Sequence, residues 1–315
     1  MEKKYDVACI GTCLLDISTS GLDFDTLFVN EPNLAEAISY GSGGDANNQS
    51  IVLSRLGHKV SFLSRVGNDF TGKFILDRVA SSGADVSHVK ISDTEPTAEN
   101  NILIGPNDKR VYIISKNSTS RTELCGDDID LDVVRQAKLV SIGSIFVHPK
   151  LDKDLEKILK VAKESGALVC ADVCPSGEEC SLESLGDVVP CLDYLFLNED
   201  EAKYLSGENE ADKIADHFLA KGVGTVIVKL GAKGSYIKSK KEAVFQEAFH
   251  TTNVVDTTGA GDCFASGFIS GVLRGLSLRE CAKFATACSF LTIQKVGATT
   301  AIESLEQVEA VLETV

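Results

Sequence analysis

Residues 254–274 read VVDTTGAGDCFASGFISGVLR. A strand-like pair, Val254-Val255, runs into Asp256, then Thr257-Thr258-Gly259-Ala260-Gly261-Asp262, then a helix apolar at Phe264, Phe268 and Val272. Gly267 and Gly271 leave that helix room to pack closely against a neighbour. Gly259, Ala260 and Gly261 therefore sit at a helix N-terminus, with free backbone N–H groups and almost no side-chain bulk, which suits an anion. Asp262 lies in the same first turn. A carboxylate there would repel the anion unless its task is to accept a proton beside it. The pair of features fits phosphoryl transfer, with amides holding charge on the phosphoryl oxygens while Asp262 takes the proton of an attacking hydroxyl. The plainer alternative is a Gly-rich turn closed by an acid that favours the helix dipole.

Four stretches upstream carry polar groups at comparable turns. Residues 40–57, YGSGGDANNQSIVLSRLG, place Gly41, Gly43 and Gly44 before a helix that closes at Gly57. Gly41, Gly43 and Ala46 also satisfy GxGxxA, the weak dinucleotide fingerprint of an NAD(P) oxidoreductase. That fingerprint normally follows the first strand of its unit, and the segment after the first strand here, GTCLLD at 11–16, lacks it. Asp16 ends that segment, and a carboxylate accepts two hydroxyl hydrogen bonds, as a sugar diol requires; a turn aspartate is the alternative. Asn198-Glu-Asp-Glu201 follows the strand Tyr194–Leu197 and reads alone as an acidic helix start. Val226–Gly234, VIVKLGAKG, reads as a strand, Lys229, and a turn holding Gly231 and Gly234.

The ungapped run Asp256–Asp262 with its small-residue helix resembles the C-terminal signature of the PfkB (ribokinase-like) carbohydrate kinases. The resemblance extends from Asp6 to about Ile302, with five pieces in order. It implies a ribokinase-like α/β fold: a central, mostly parallel sheet flanked by helices. A small β-sheet lid would be formed by about 13–41 and 95–122 of a single domain spanning 1–315. It implies ATP-dependent phosphorylation of a sugar's hydroxymethyl group. By resemblance Asp262 is the base and Gly259, Ala260 and Gly261 the anion hole. Asp16, Gly43, Gly44 and Asn48 would hold a fructose- or ribose-like sugar, with Asp45 where ribokinases carry Lys. Lys229, Gly231 and Gly234 would hold ATP. Asn198 and Glu201 match the N-x-x-E motif that organises Mg²⁺ through water. Asp256 and Thr258 fall at a monovalent-cation loop; where relatives end that loop in Ser, this chain has Thr299-Thr300, so K⁺ stays open. A nucleoside kinase and a non-catalytic sugar or nucleotide sensor are the other readings.

Strand-like and helix-like stretches alternate along the rest of the chain, arguing for a parallel sheet covered on both faces. Strands are expected at Asp6–Gly11, Lys59–Val66, Ala167–Val173 and Gly224–Leu230. Helices are expected at Asp45–Leu56 and Phe70–Ala80, along the apolar face Leu151, Leu155, Ile158, Leu159 and Ala162, and after an N-cap at Asn209. Ala98–Ile104 and Arg110–Ser115, around Gly105-Pro-Asn-Asp108, form a hairpin signal. Its apolar residues Ile102, Ile104, Val111 and Ile113 suggest a face covered by the sugar site or by a second subunit, giving a homodimer through the lids. Of the adjacent Asn100 and Asn101, one should point away from that face.

The 315 residues are 43% hydrophobic and 24% charged, ordinary for a globular protein with a sizeable core. A net charge of −15 disfavours general binding to nucleic acid or anionic membranes. No export signal and no 18-residue apolar window are evident, so a cytoplasmic protein with reduced cysteines is expected. Cys170, Cys174, Cys180 and Cys191 fit no zinc spacing. His58 and His148 read as loop residues.

Overall fold

The computed structural model describes residues 3–29, 32–106, 109–175 and 180–314. In chain order the elements are β1 (Tyr5–Gly11), β2 (Leu14–Ser20), β3 (Ala37–Gly43), α1 (Asp45–Arg55), β4 (Val60–Leu63), β5 (Arg65–Gly67), α2 (Phe70–Ser81), β6 (Lys90–Ser92), β7 (Glu99–Ile104), β8 (Arg110–Ile114), α3 (Leu131–Gln136) and β9 (Ala137–Ile145). Then follow α4 (Leu151–Glu164), β10 (Leu168–Val173), β11 (Tyr194–Asn198), α5 (Glu199–Ser206), α6 (Ala211–Ala220), β12 (Thr225–Lys229), β13 (Ser235–Ser239), β14 (Ala243–Gln246), α7 (Ala260–Leu273), α8 (Leu278–Thr292) and α9 (Leu305–Thr314).

Eight strands form the main sheet in the order β14-β13-β12-β11-β10-β9-β1-β4. Pairing is parallel from β4 through β12 and antiparallel for β13 and β14. Alternation along the strands sends Ala8, Ile10, Val140 and Ile142 to one core, against α3, α4 and α6. Val7, Cys9, Phe62 and Leu139 go to the other, against α1, α2, α7 and α8. Phe268 of α7 anchors that second core, its ring edge-on to Tyr194 and Phe196 at 5.7 and 5.6 Å. Burying such a ring contributes about 1.5–3 kcal/mol. A Cβ on Gly267 would lie 2.8 Å from the Cα of Ala285, so the expected close helix contact is made, with α8.

A second sheet, β3-β2-β7-β8, is separate from the main one and carries the expected hairpin; it is mixed, because β2 and β7 run parallel between two antiparallel pairs. The hairpin strands form as β7 and β8, although Asn107 and Asp108 of their turn lie outside the described residues. The register corrects the expected apolar face. Val111 and Ile113 stand opposite Leu103 and Asn101, whereas Ile102 and Ile104 stand opposite Tyr112 and Arg110. The four residues therefore divide between two faces, because residues across an antiparallel pair share a face only in register. Asn100 and Asn101 do point oppositely, and Asn100 shares its face with Asp16.

Other expectations also shift. The strand at 59–66 is two strands, since Ser64 turns to bond the Gly11 carbonyl and β5 leaves the main sheet to pair with β6. Helix α6 is preceded by Glu210 as its N-cap, not Asn209, and no side-chain cap bond forms there. Gly41 and Gly43 belong to β3, in the small sheet, so GxGxxA does not form the strand–loop–helix of a dinucleotide site. Among the described residues no helix is long and apolar enough to cross a membrane.

Candidate active site

The carboxyl ends of β9, β10 and β12 meet the N-terminal turns of α1 and α7: Ser144 bonds Asp45, Asp172 pairs with Lys229, and Asn48 bonds Asp262. Gly259 caps α7 at φ 73°, and Asp262 lies in its first turn. Ala260 N–H donates to the Thr257 carbonyl at 3.2 Å, while the Gly259 and Gly261 amides have no backbone partner among the described residues. Burial raises the Asp262 carboxyl well above the usual carboxylate range, and the neighbouring Asp45 adds to it; Asn48 and Lys229 oppose. Asn48, buried on α1, donates through Nδ2 to Asp262 Oδ2 at 2.6 Å. Residues 214 positions apart thus meet at one carboxylate.

Asp16 lies within β2 and not in a turn after β1, so it reaches the site from the small sheet. Asn100 Nδ2 donates to its Oδ1 at 2.8 Å. Burial pushes Asp16 up to about 6, with Asn100 opposing. Gly43 is required beside it, because a Cβ there would stand 2.1 Å from Asp16 Oδ2. The acceptor oxygens Asn100 Oδ1 and Asn47 Oδ1 are buried and unbonded, an arrangement that costs stability unless a ligand or water donates to them. Gly44 is the N-cap of α1, which brings Asp45 into the first turn. Ser144, held at φ 62° at the end of β9, donates its hydroxyl to Asp45.

Lys229 ends β12 and forms a buried ion pair with Asp172 of β10, Nζ to Oδ2 at 2.8 Å. Burial would lower the Lys229 ammonium, but Asp172 and Glu201 outweigh it and hold it above its ordinary value. A Cβ on Gly261 would lie 3.4 Å from Lys229 Nζ, so the cation borders the open amides. Beyond it lies a cavity of ≈ 420 Å³ bounded by Gly231, Gly234, Phe249, Thr286, Phe290 and Ile293. Its apolar walls and flanking cation suit a nucleotide base with phosphates at the Lys229 end.

Asn198 and Glu201 form a reciprocal cap on α5: Glu201 N–H donates to Asn198 Oδ1 at 2.9 Å, and Asn198 N–H to Glu201 Oε2 at 2.7 Å. Burial, then Asp172, push Glu201 up to about 7. Among the described residues no group of three or more His, Cys, Asp or Glu could ligate a metal directly. One Glu201 oxygen outside the cap fits Mg²⁺ held through its own waters. Asp256 and Thr258, the candidate K⁺ ligands, are engaged by protein donors. Asp256 Oδ1 accepts from Thr258 N–H at 3.0 Å and Thr258 Oγ1 at 2.7 Å, and Oδ2 accepts from Gly297 N–H at 2.9 Å.

His148 is buried. Its Nδ1–H donates to the Ser120 carbonyl at 2.8 Å, its Nε2 accepts from Thr12 at 3.0 Å, and burial pushes its pKa down to about 4. His58 bonds Ser270 at 2.8 Å. Both are packing residues. The structure thus gathers Asp16, Gly43, Gly44, Asn48, Lys229, Gly259–Gly261 and Asp262 at one cleft. Asp45, Asn100, Arg110, Ser144 and Asp172 belong to it too. Of these, Asp172 had a signal, a carboxylate at the end of the buried run ALVCADV, where open α/β sheets bind ligands.

The sequence pattern of the pfkB family carbohydrate kinases matches residues 4–305. The chain is 31% identical over 299 residues to a 2-dehydro-3-deoxygluconokinase of Bacillus subtilis, covering 90% of this chain and 91% of that protein. It is 27% identical over 303 residues to fructokinase-2 of Solanum lycopersicum, covering 90% and 92%. The structure of Arabidopsis thaliana ribokinase complexed with ribose and ATP superposes with a TM-score of 0.81 at 26% identity, covering 99% of each chain.

Proposed function

The chain belongs to the pfkB family of carbohydrate kinases, and from that premise we propose that it moves the γ-phosphoryl group of ATP to the hydroxymethyl group of a free, uncharged sugar of the ribose or fructose kind. Asp262 is the general base. The observation that carries this reading is the 2.6 Å bond between Asn48 and Asp262, which puts the sugar-facing helix against the proton acceptor at the mouth of the open amides. Asp16, Asn100 and Asn48 hold the ring hydroxyls, and Asp262 removes the proton as the hydroxyl attacks. The amides of Gly259 and Gly261, with Lys229, take up charge on the transferred group. Glu201, with Asn198, would hold Mg²⁺ through its waters, and the ion would supply neutralisation of phosphate charge.

An uncharged acceptor follows from the carboxylates. Asp16 and Asp45, on the acceptor side of the cleft, disfavour an acid or a phosphate group there. In a screen of ADP release over neutral sugars, sugar acids, sugar phosphates and nucleosides, turnover is expected with a neutral pentose or hexose. Turnover confined to an acid or a nucleoside would overturn the substrate assignment.

The outer face of the small sheet supports a homodimer through the lids. Tyr40 and Ile113 lie in one row across β3, β2, β7 and β8, with Ile38 and Val111 in the next. Ile38 and Tyr40 are 58% and 62% exposed, and Val111 and Ile113 are 41% and 54% exposed, an apolar surface that a second copy would cover across a two-fold axis. Light scattering is expected to give twice the chain mass, falling to one chain in Tyr40→Asp with Ile113→Asp. A wild-type protein of single-chain mass would refute the dimer.

A further inference from the structure

The positive charge at Asp256 and Thr258 comes from the protein itself. Arg110 opens β8 opposite Ile104, on the lid face that also carries Asn100 and Asp16. Its Nη1 donates to Thr258 Oγ1 at 2.8 Å and its Nη2 to Asp256 Oδ1 at 3.2 Å. The pair is largely withdrawn from water, with side chains 16% and 11% exposed. Asp256 thereby accepts from Arg110, from Thr258 twice and from Gly297. A monovalent ion on these oxygens would displace those donors and stand beside a guanidinium that never loses its proton.

We propose that Arg110 takes the place of a monovalent cation at the phosphate-binding loop, so that this kinase needs no K⁺ and receives the charge from its lid. Thr258 adjoins Gly259, so a bond from the lid to Thr258 fixes the start of the loop bearing the open amides. Arg110 is therefore a positioning residue that acts through Asp256 and Thr258. Because it shares a lid face with Asp16 and Asn100, sugar contacts that draw the lid inward also seat Arg110 on the loop. Acceptor binding and phosphate binding are coupled in this way, and a cation from solution would not couple them.

The inference rests on the kinase reading, and its test separates the two. Turnover of a competent acceptor is measured in potassium chloride and in tetramethylammonium chloride at equal ionic strength, the second ion being too bulky to sit on a carboxylate pair. The wild-type rates are expected to agree within about twofold, whereas Arg110→Ala is expected to lose about tenfold or more in kcat and to recover part of it only in K⁺. In Arg110→Ala the ratio of ATP hydrolysed to sugar phosphorylated should also rise, with ATP affinity retained, which a general loss of packing would not produce. Thermal melting in the two salts gives a reading independent of turnover. The wild-type Tm is expected to be the same in both, and the Arg110→Ala Tm higher in K⁺, since an ion that binds only the folded state stabilises it. A wild-type enzyme that slows about tenfold without K⁺, or whose Tm rises specifically in K⁺, overturns the proposal. Absence of turnover with every acceptor counts against the kinase reading, and the melting comparison then decides this one.

Discussion

Asp262→Asn is expected to lower kcat by about 10²–10⁴ while leaving ATP affinity nearly unchanged, because asparagine keeps the size and the acceptor oxygen for Asn48 but cannot take a proton. The pH profile identifies the group. Burial, with Asp45 adding repulsion, holds the Asp262 carboxyl well above the usual range. Only the ionised form accepts a proton, so kcat/KM for the sugar should climb as pH rises through that raised value and be lost as pH falls below it. Glu201, pushed up to about 7, adds an acidic limb of its own. The limb that disappears in Asp262→Asn is the one belonging to the base. A variant within a few-fold of wild type, with its acidic limb intact, would remove Asp262 from the mechanism.

Asp16→Ala should act on the sugar and not on the nucleotide. The substitution strands the sugar hydroxyls and Asn100 Nδ2, which now donates to Asp16 Oδ1 at 2.8 Å. Leaving such groups unpaired costs about 1–3 kcal/mol, or about 5–150-fold in sugar KM. In the wild-type enzyme the sugar KM should rise as pH falls through about 6, where the buried Asp16 takes up its proton and loses acceptor capacity. Calorimetric ATP affinity should stay the same in the variant. An unmoved sugar KM, with weakened ATP binding, would make Asp16 a structural residue of β2.

The parts of the site legible from sequence are those that lie together along the chain. Asp256–Asp262 combines loop, helix start and carboxylate in one run, so local rules were enough to suggest an anion beside a base. The α/β class was equally open, because alternating apolar runs report a two-sided sheet directly. What could not be read depends on pairing between distant strands. Sequence alone puts Asp16 in a turn after β1, since nothing local says that the chain crosses at Thr12-Cys13 into another sheet. The apolar hairpin residues were grouped together because facing depends on which residue lies opposite which, and Ile102 pairs with Tyr112, not Val111 or Ile113. Asp172 and Lys229, 57 residues apart, become partners only through the adjacency of β10, β11 and β12. Nothing local marks Arg110, because its partners Asp256 and Thr258 lie 146 and 148 positions away. Strand β9, inside the main sheet, has a weak sequence signal because the polar Ser141 and Ser144 interrupt its apolar run.

The most direct measurement is phosphorus NMR of the product formed when the wild-type protein acts on ATP and a neutral pentose or hexose in the presence of Mg²⁺. The account predicts ADP together with a phosphomonoester whose phosphorus couples to a methylene, the mark of a phosphorylated hydroxymethyl group, and no such product with Asp262→Asn over the same interval. ADP and inorganic phosphate alone from every neutral sugar, or a phosphoester on a ring carbon, would contradict it.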